Sequence, residues 1–176
     1  MKKILLIGAA SLALAACSSG GDADKDGDGK VSAGEVKEAM AGTEMQPGEY
    51  EVKITFSEME APGMPEQMRT MLMESMAKKG LKTCITEEQA KNPGADMFGQ
   101  NDESGCKMEK LDRSGNKMNA VMTCNTGGVK MAATMDGTFK SDGYTMNMEQ
   151  KITGAPSGDM SMKGQITANR IGDCPK

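Results

Sequence analysis

The sequence predicts an α+β fold: a curved, half-barrel-like antiparallel β-meander with one long helix packed on it, stapled by two disulfides. Three observations predict it. Short apolar/polar alternating runs follow one another through the second half of the chain, separated by Gly, Asp, Asn and Ser. One stretch of apolar residues at helical spacing precedes them, and four cysteines are spread through the same region.

The folded domain is assigned to residues 45–176. Pro47-Gly48 punctuates the entry to a first strand, where Tyr50, Val52, Ile54 and Phe56 alternate on one face up to Ser57. Pro65 suits the first helical position, and Met64, Met68, Met71, Leu72 and Met76 recur at helical spacing until Gly80, read as the stop. Leu81 to Ile85 forms a short strand. Thr86-Glu87-Glu88 starts a brief helix that Pro93-Gly94 ends, and a loop runs through Asp102. Strands then follow at 105–111, 117–124, 129–139, 144–153 and 160–171. The turns at 112–116, 141–143 and 156–159 are rich in residues that tolerate tight backbone. Strands joined by short turns pair antiparallel.

Ahead of the domain lie two segments of different character. Residues 1–16 read as an export signal: Lys2 and Lys3 give a positive start, and Ile4 to Ala16 is apolar but too short for a mature spanning helix. Leu14-Ala15-Ala16-Cys17 resembles the lipobox of bacterial lipoproteins, which implies cleavage before Cys17 and lipid on its thiol. Several acyl chains, at about 0.8 kcal/mol per buried methylene, make a stable anchor. With Ser18 following Cys17 in place of the Asp that typically retains such lipoproteins at the inner membrane, the resemblance implies the periplasmic face of the outer membrane. Residues 17–44 read as an acidic tether with seven acids and three lysines.

Composition narrows the function. Net charge is −4, or −6 once Lys2 and Lys3 leave with the signal. Two Tyr, three Phe and no Trp offer no basic groove or stacking platform, so nucleic acid is not an expected partner. The chain has no His, which removes the commonest general base and the Ser-His and Cys-His nucleophile pairs. No paired carboxylates stand out in their place, and the expectation is a protein that is not an enzyme.

With Cys17 set aside, Cys84, Cys106, Cys124 and Cys174 remain, and an oxidising compartment favours disulfides. Cys106 and Cys124 lie symmetrically about Gly115, so they should face each other across a hairpin, leaving Cys84 to meet Cys174. No two of the four form a Cys-x-x-Cys, which weighs against redox or metal roles.

The most chemically specific segment is Asp24 to Glu35. As a twelve-residue EF-hand loop it puts carboxylates of Asp24, Asp26, Asp28 and Glu35 at positions one, three, five and twelve. Gly29 falls at six, where the chain must turn, and Val31 at eight. Lys30 at seven would offer its backbone carbonyl, and Ser32 at nine would ligate directly or through water. A start at Asp22 fails, because position twelve becomes Ala33. Ca2+ wants six to eight oxygens, which this pattern supplies. There is room for an exiting helix from Glu35 to Met40 but none for an entering one, and no second loop to pair with. Weak calcium binding is the expectation, against the plainer alternative of a solvated acidic tether.

Nineteen methionines raise a Cu(I) reading, with Met146 and Met148, and Met160 and Met162, pairing sulfurs on one strand face. The stronger expectation is that Met fills a core short of aromatics, since Met118, Ala120 and Met122, and Met131, Ala133 and Met135, alternate on one face.

Several of these residues form a recognisable pattern. Pro47-Gly48-Glu49-Tyr50-Glu51, Pro62-Gly63-Met64-Pro65, Thr83-Cys84-Ile85-Thr86, Cys106, Cys124 and Arg170-Ile171-Gly172-Asp173-Cys174 together resemble envelope proteins grouped as domain of unknown function 3617. The resemblance covers residues 45–176, with Tyr50 where many members have Trp. It implies a fold and an envelope location but no activity, and the acidic loop lies outside it. The expected function is therefore a lipid-anchored periplasmic protein that binds calcium through residues 24–35. The alternative is a carrier of a small apolar ligand in a Met-lined concavity between helix and sheet.

Overall fold

A computed structural model of the protein describes residues 21–91, 105–156 and 158–175. The export signal, Cys17, the Pro93-Gly94 helix end and the expected loop through Asp102 lie outside the described residues. The elements run β1 (Gly21–Asp22), α1 (Ala33–Ala39), β2 (Gly48–Glu60), α2 (Glu66–Met76), β3 (Lys78–Ile85), α3 (Glu87–Lys91), β4 (Cys106–Ser114), β5 (Lys117–Thr126), β6 (Val129–Lys140), β7 (Gly143–Thr153) and β8 (Met160–Gly172).

The strands form one open antiparallel sheet in the order β1-β4-β5-β6-β7-β8-β2-β3. β4 to β8 is the expected meander: two-residue turns at Gly115-Asn116, Gly127-Gly128 and Ser141-Asp142 join β4 to β7, and residues 154–159 connect β7 to β8. Gly115 and Gly127 both take φ of +60°, a conformation that side-chain-bearing residues rarely adopt. β2 comes earlier in the chain yet closes the far side by pairing with β8 from Glu49 to Glu60. Both expected disulfides are present, Cys106–Cys124 and Cys84–Cys174. The first joins directly opposed residues of the β4–β5 hairpin, and the second ties edge strand β3 to the end of the chain.

Period-two alternation sets the inner face. Met118 and Ala120 on β5, Ala133, Met135 and Phe139 on β6, Met146 on β7 and Ala168 on β8 are buried, while their neighbours along each strand turn outward. Met108, Met118, Met135 and Met146 make methionine the main bulky component of this core. Of the thioethers read as copper pairs, Met146 is buried in this cluster and Met148 packs against it, while Met160 and Met162 lie outside it, Met162 opposite Met59 in the β2–β8 ladder.

Two expectations change. The long helix α2 packs beside β2, but none of its residues is buried, and Met68 and Met71 are 56% and 64% exposed. Its apolar stripe is therefore not the cover of the core. Gly80 is not its stop either: the helix ends at Met76. Gly80, at φ +73°, lies in β3 where two residues face one on β2 and the register slips between Val52 and Ile54.

The cover comes instead from the segment expected to be a free tether. Ala23, Val31, Val36, Met40 and Met45 are buried in one cluster with Tyr50, Met108 and Leu111. The boundary at residue 44 is thereby corrected: from Gly21 onward the segment is part of the globule. The physical reason is that its few apolar residues fall where they can meet the sheet, with Val36 and Met40 one helical turn apart. The acids between them stay in water.

Candidate metal centre

The loop is built from the peptide groups around its own carboxylates. Asp24 accepts from the amides of Gly27 at 2.8 Å and Gly29 at 3.0 Å. Asp26 accepts from Asp28 N–H at 3.2 Å, and Asp28 from Lys30 N–H at 2.8 Å. These side-chain-to-backbone bonds curl the chain round a point instead of letting it extend. Gly27 and Gly29, at φ +73° and +79°, take the left-handed turns this requires.

The result gathers three acids. One carboxylate oxygen from each of Asp24, Asp26 and Asp28 lies within 4.8 Å of the other two. Three anions so close repel one another, and the amide donors only partly offset that; a divalent cation would do so directly. Hard oxygen donors at alternate positions fit calcium, and no soft sulfur or imidazole donor stands among them.

Glu35 belongs to the loop but not to that trio. One of its oxygens accepts from Lys25 N–H at 2.9 Å, and the other from both Ser32 N–H and Ser32 Oγ at 2.8 Å. Ser32 in turn caps α1, accepting from Glu35 N–H at 3.3 Å, so the pair forms a capping box. The amides of Ser32, then Lys25, together with the Ser32 hydroxyl, hold the Glu35 carboxyl down to about 2. It thus stays an anion at neutral pH and ties the loop's second residue to its ninth. The oxygen that accepts twice from Ser32 has both lone pairs engaged, so the oxygen facing Lys25 is the freer one for a cation. Of the six residues the sequence nominates, Asp24, Asp26 and Asp28 converge, Ser32 and Glu35 brace the loop, and Lys30 closes the Asp28 turn through its amide.

What the sequence did not mark is the wall on which the loop rests. Gly21 and Asp22 pair with Arg113 and Asp112 of β4, and Ala23 N–H donates to the Leu111 carbonyl at 2.9 Å. Eight residues on, Val31 N–H donates to the Met108 carbonyl at 2.8 Å. The same strand therefore grips the chain on both sides of the acidic turns. Arg113 reaches past the loop, donating from one guanidinium nitrogen to the carbonyls of Ala39, at 3.2 Å, and Ala41 at the end of α1. A recess between loop and strand is lined by Asp26, Asp28, Glu35, Lys107 and Met108. Only the i, i+4 pair Val36 and Met40, with Val31 at position eight, hinted at such docking.

Elsewhere, the outer face of the sheet carries a polar row. Asp112, Asn119, Asp136, Asn147 and Gln165 sit opposite one another across five strands, with Asn147 donating to Asp136 and Gln165 to Asn147, both at 2.9 Å. Shallow grooves open beside this row.

Residues 45–174 match a family described as protein of unknown function (DUF3617). No curated protein and no solved structure matches the chain.

Proposed function

Since the chain belongs to the DUF3617 family of proteins of unknown function, which brings no activity with it, we propose a function from what this chain adds ahead of the matched region: calcium binding by residues 24–35 of a lipid-anchored envelope protein. The observation that carries this is the convergence of Asp24, Asp26 and Asp28, held by amide donors in a turn that spaces hard oxygens for a divalent ion. Lys30 contributes its carbonyl, Ser32 its hydroxyl or a water, and Glu35 completes the set at position twelve. With a single loop and exposed ligands, binding is weak, in the roughly 0.1–1 mM range of extracellular modules. Such a site fills in an envelope exposed to external calcium. The protein is a binding module rather than a catalyst, anchored through lipid on Cys17 at the periplasmic face of the outer membrane.

The carrier reading draws less support. It asks for an apolar concavity between helix and sheet, whereas the inner face is filled by residues 23–45 and the grooves beside the outer row are lined by residues such as Asp112, Asn119, Asp136 and Thr138.

Calorimetric titration of the mature protein with calcium tests the proposal. Saturable heat that is lost in Asp24→Asn and Asp28→Asn is the expected result. No saturable heat up to several millimolar, in excess of the expected dissociation constant, sinks it.

A further inference from the structure

An EF-hand loop without a partner loop lacks the neighbour that holds its eighth residue. Here that place is taken by a strand of the sheet. Val31 N–H bonds to Met108, Ala23 N–H bonds to Leu111, and β1 pairs with Asp112 and Arg113, so the loop's two flanks are fixed to one continuous backbone. Arg113 then fixes the end of the helix that begins inside the loop. The peptide that would offer the Lys30 carbonyl to an ion offers its Val31 N–H to Met108, so tightening the loop and seating residues 21–44 on β4 share that peptide plane.

We propose that β4 serves as the second half of the calcium site, with Arg113 as its positioning residue, so that ion occupancy and the docking of residues 21–44 form a single equilibrium. This rests on the calcium reading above and assigns its regulation. By linkage, whatever docking contributes to calcium affinity, calcium returns to docking by the same factor.

The consequence at the membrane is one of length. From a lipid-bearing Cys17 to docked Gly21 the chain covers at most about 14 Å, holding the globule against the lipid surface. With residues 21–44 released, the same anchor reaches roughly 100 Å. Calcium therefore works as a latch on how far the domain can stand from its membrane. Lys25, Lys30 and Lys37 are exposed on the docked segment, and trypsin cuts after them only once the backbone around them unfolds from β4.

The test uses the detergent-solubilised mature protein with calcium or a chelator, following calcium heat, tryptic cleavage after these lysines, and hydrogen exchange at the Ala23 and Val31 amides. Calcium is expected to slow cleavage and both amides by on the order of tenfold, and Arg113→Ala to weaken calcium binding by a similar factor. Arg113→Lys, which keeps one donor arm, should recover part of the affinity. Ile166→Ala, in the core on distant β8, should lower thermal stability without moving calcium affinity. Saturable calcium binding that leaves the two amides and the cleavage unchanged, or is indifferent to Arg113→Ala, overturns the coupling while the site stands. Absence of any calcium binding removes both.

Discussion

Val31 and Met108 are 77 positions apart and in different kinds of structure, yet the amide of one donates to the carbonyl of the other at 2.8 Å. That bond sits between two buried side chains, 3% and 1% exposed, where an unpaired peptide group would be costly. It joins an acidic loop to the first strand of the meander, and the behaviour of residues 21–44 as folded protein follows from contacts of this kind.

Met40 gives the sharpest check on that docking. It is 2% exposed, at the end of α1. Met40→Ala should destabilise the protein by roughly 2–5 kcal/mol, as other buried Met truncations do. A solvated tether residue would change stability by no more than about 0.5 kcal/mol. Urea denaturation of both proteins in chelator separates the two outcomes.

The disulfides should contribute unequally. Cys84–Cys174 closes a separation of 90 residues and Cys106–Cys124 one of 18. In the loop-entropy account they are worth about 4.6 and 3 kcal/mol. Replacing Cys84 and Cys174 by Ser should therefore lower Tm further than replacing Cys106 and Cys124. Equal shifts would show that the reduced chain is already held together near β3.

Both tyrosines should ionise late. Burial pushes the Tyr50 phenol up, partly countered by the Arg170 guanidinium, and burial alone pushes Tyr144 up. Tyr50 donates to the Gln46 carbonyl at 2.7 Å, and Tyr144 packs on Phe139 with ring centroids 5.6 Å apart. Since the folded state holds these protons more tightly than the unfolded chain, their contribution is fully present below the ordinary value of about 10. It is lost as pH rises through the folded values. With two Tyr and no Trp in the chain, an ultraviolet phenolate titration should show no step at the ordinary value while the protein stays folded.

Cys17→Ala tests the anchor. The variant should leave the membrane fraction and escape processing, whereas the parent chain should partition with membranes and carry acyl mass at its amino terminus. Unchanged partition of the variant would remove lipid on Cys17 as the means of attachment.

Much of the sheet was legible because period two is a local signal. Each strand of the meander was read to within three residues at either end, and the hairpin symmetry of Cys106 and Cys124 about Gly115 placed their disulfide. The acidic turns were legible for a similar reason: an Asp and the amide it captures lie two to five residues apart. The helix stripe misled because helical spacing reports that an apolar face exists, not which surface it meets. Met68 and Met71 have the spacing and stay in water.

The sequence by itself determined the strand order of the meander and the cysteine staples, because each depends on neighbours along the chain or on simple hairpin symmetry. Only the tertiary structure decided that residues 21–44 belong to the globule. That outcome depends on Val31, Val36, Met40 and Met45 finding Tyr50, Met108 and Leu111, and on carbonyls of a strand some 80 residues away. Burial against a distant surface leaves no periodic trace in a short, acid-rich segment, so the same residues read as a tether until the sheet is there to receive them.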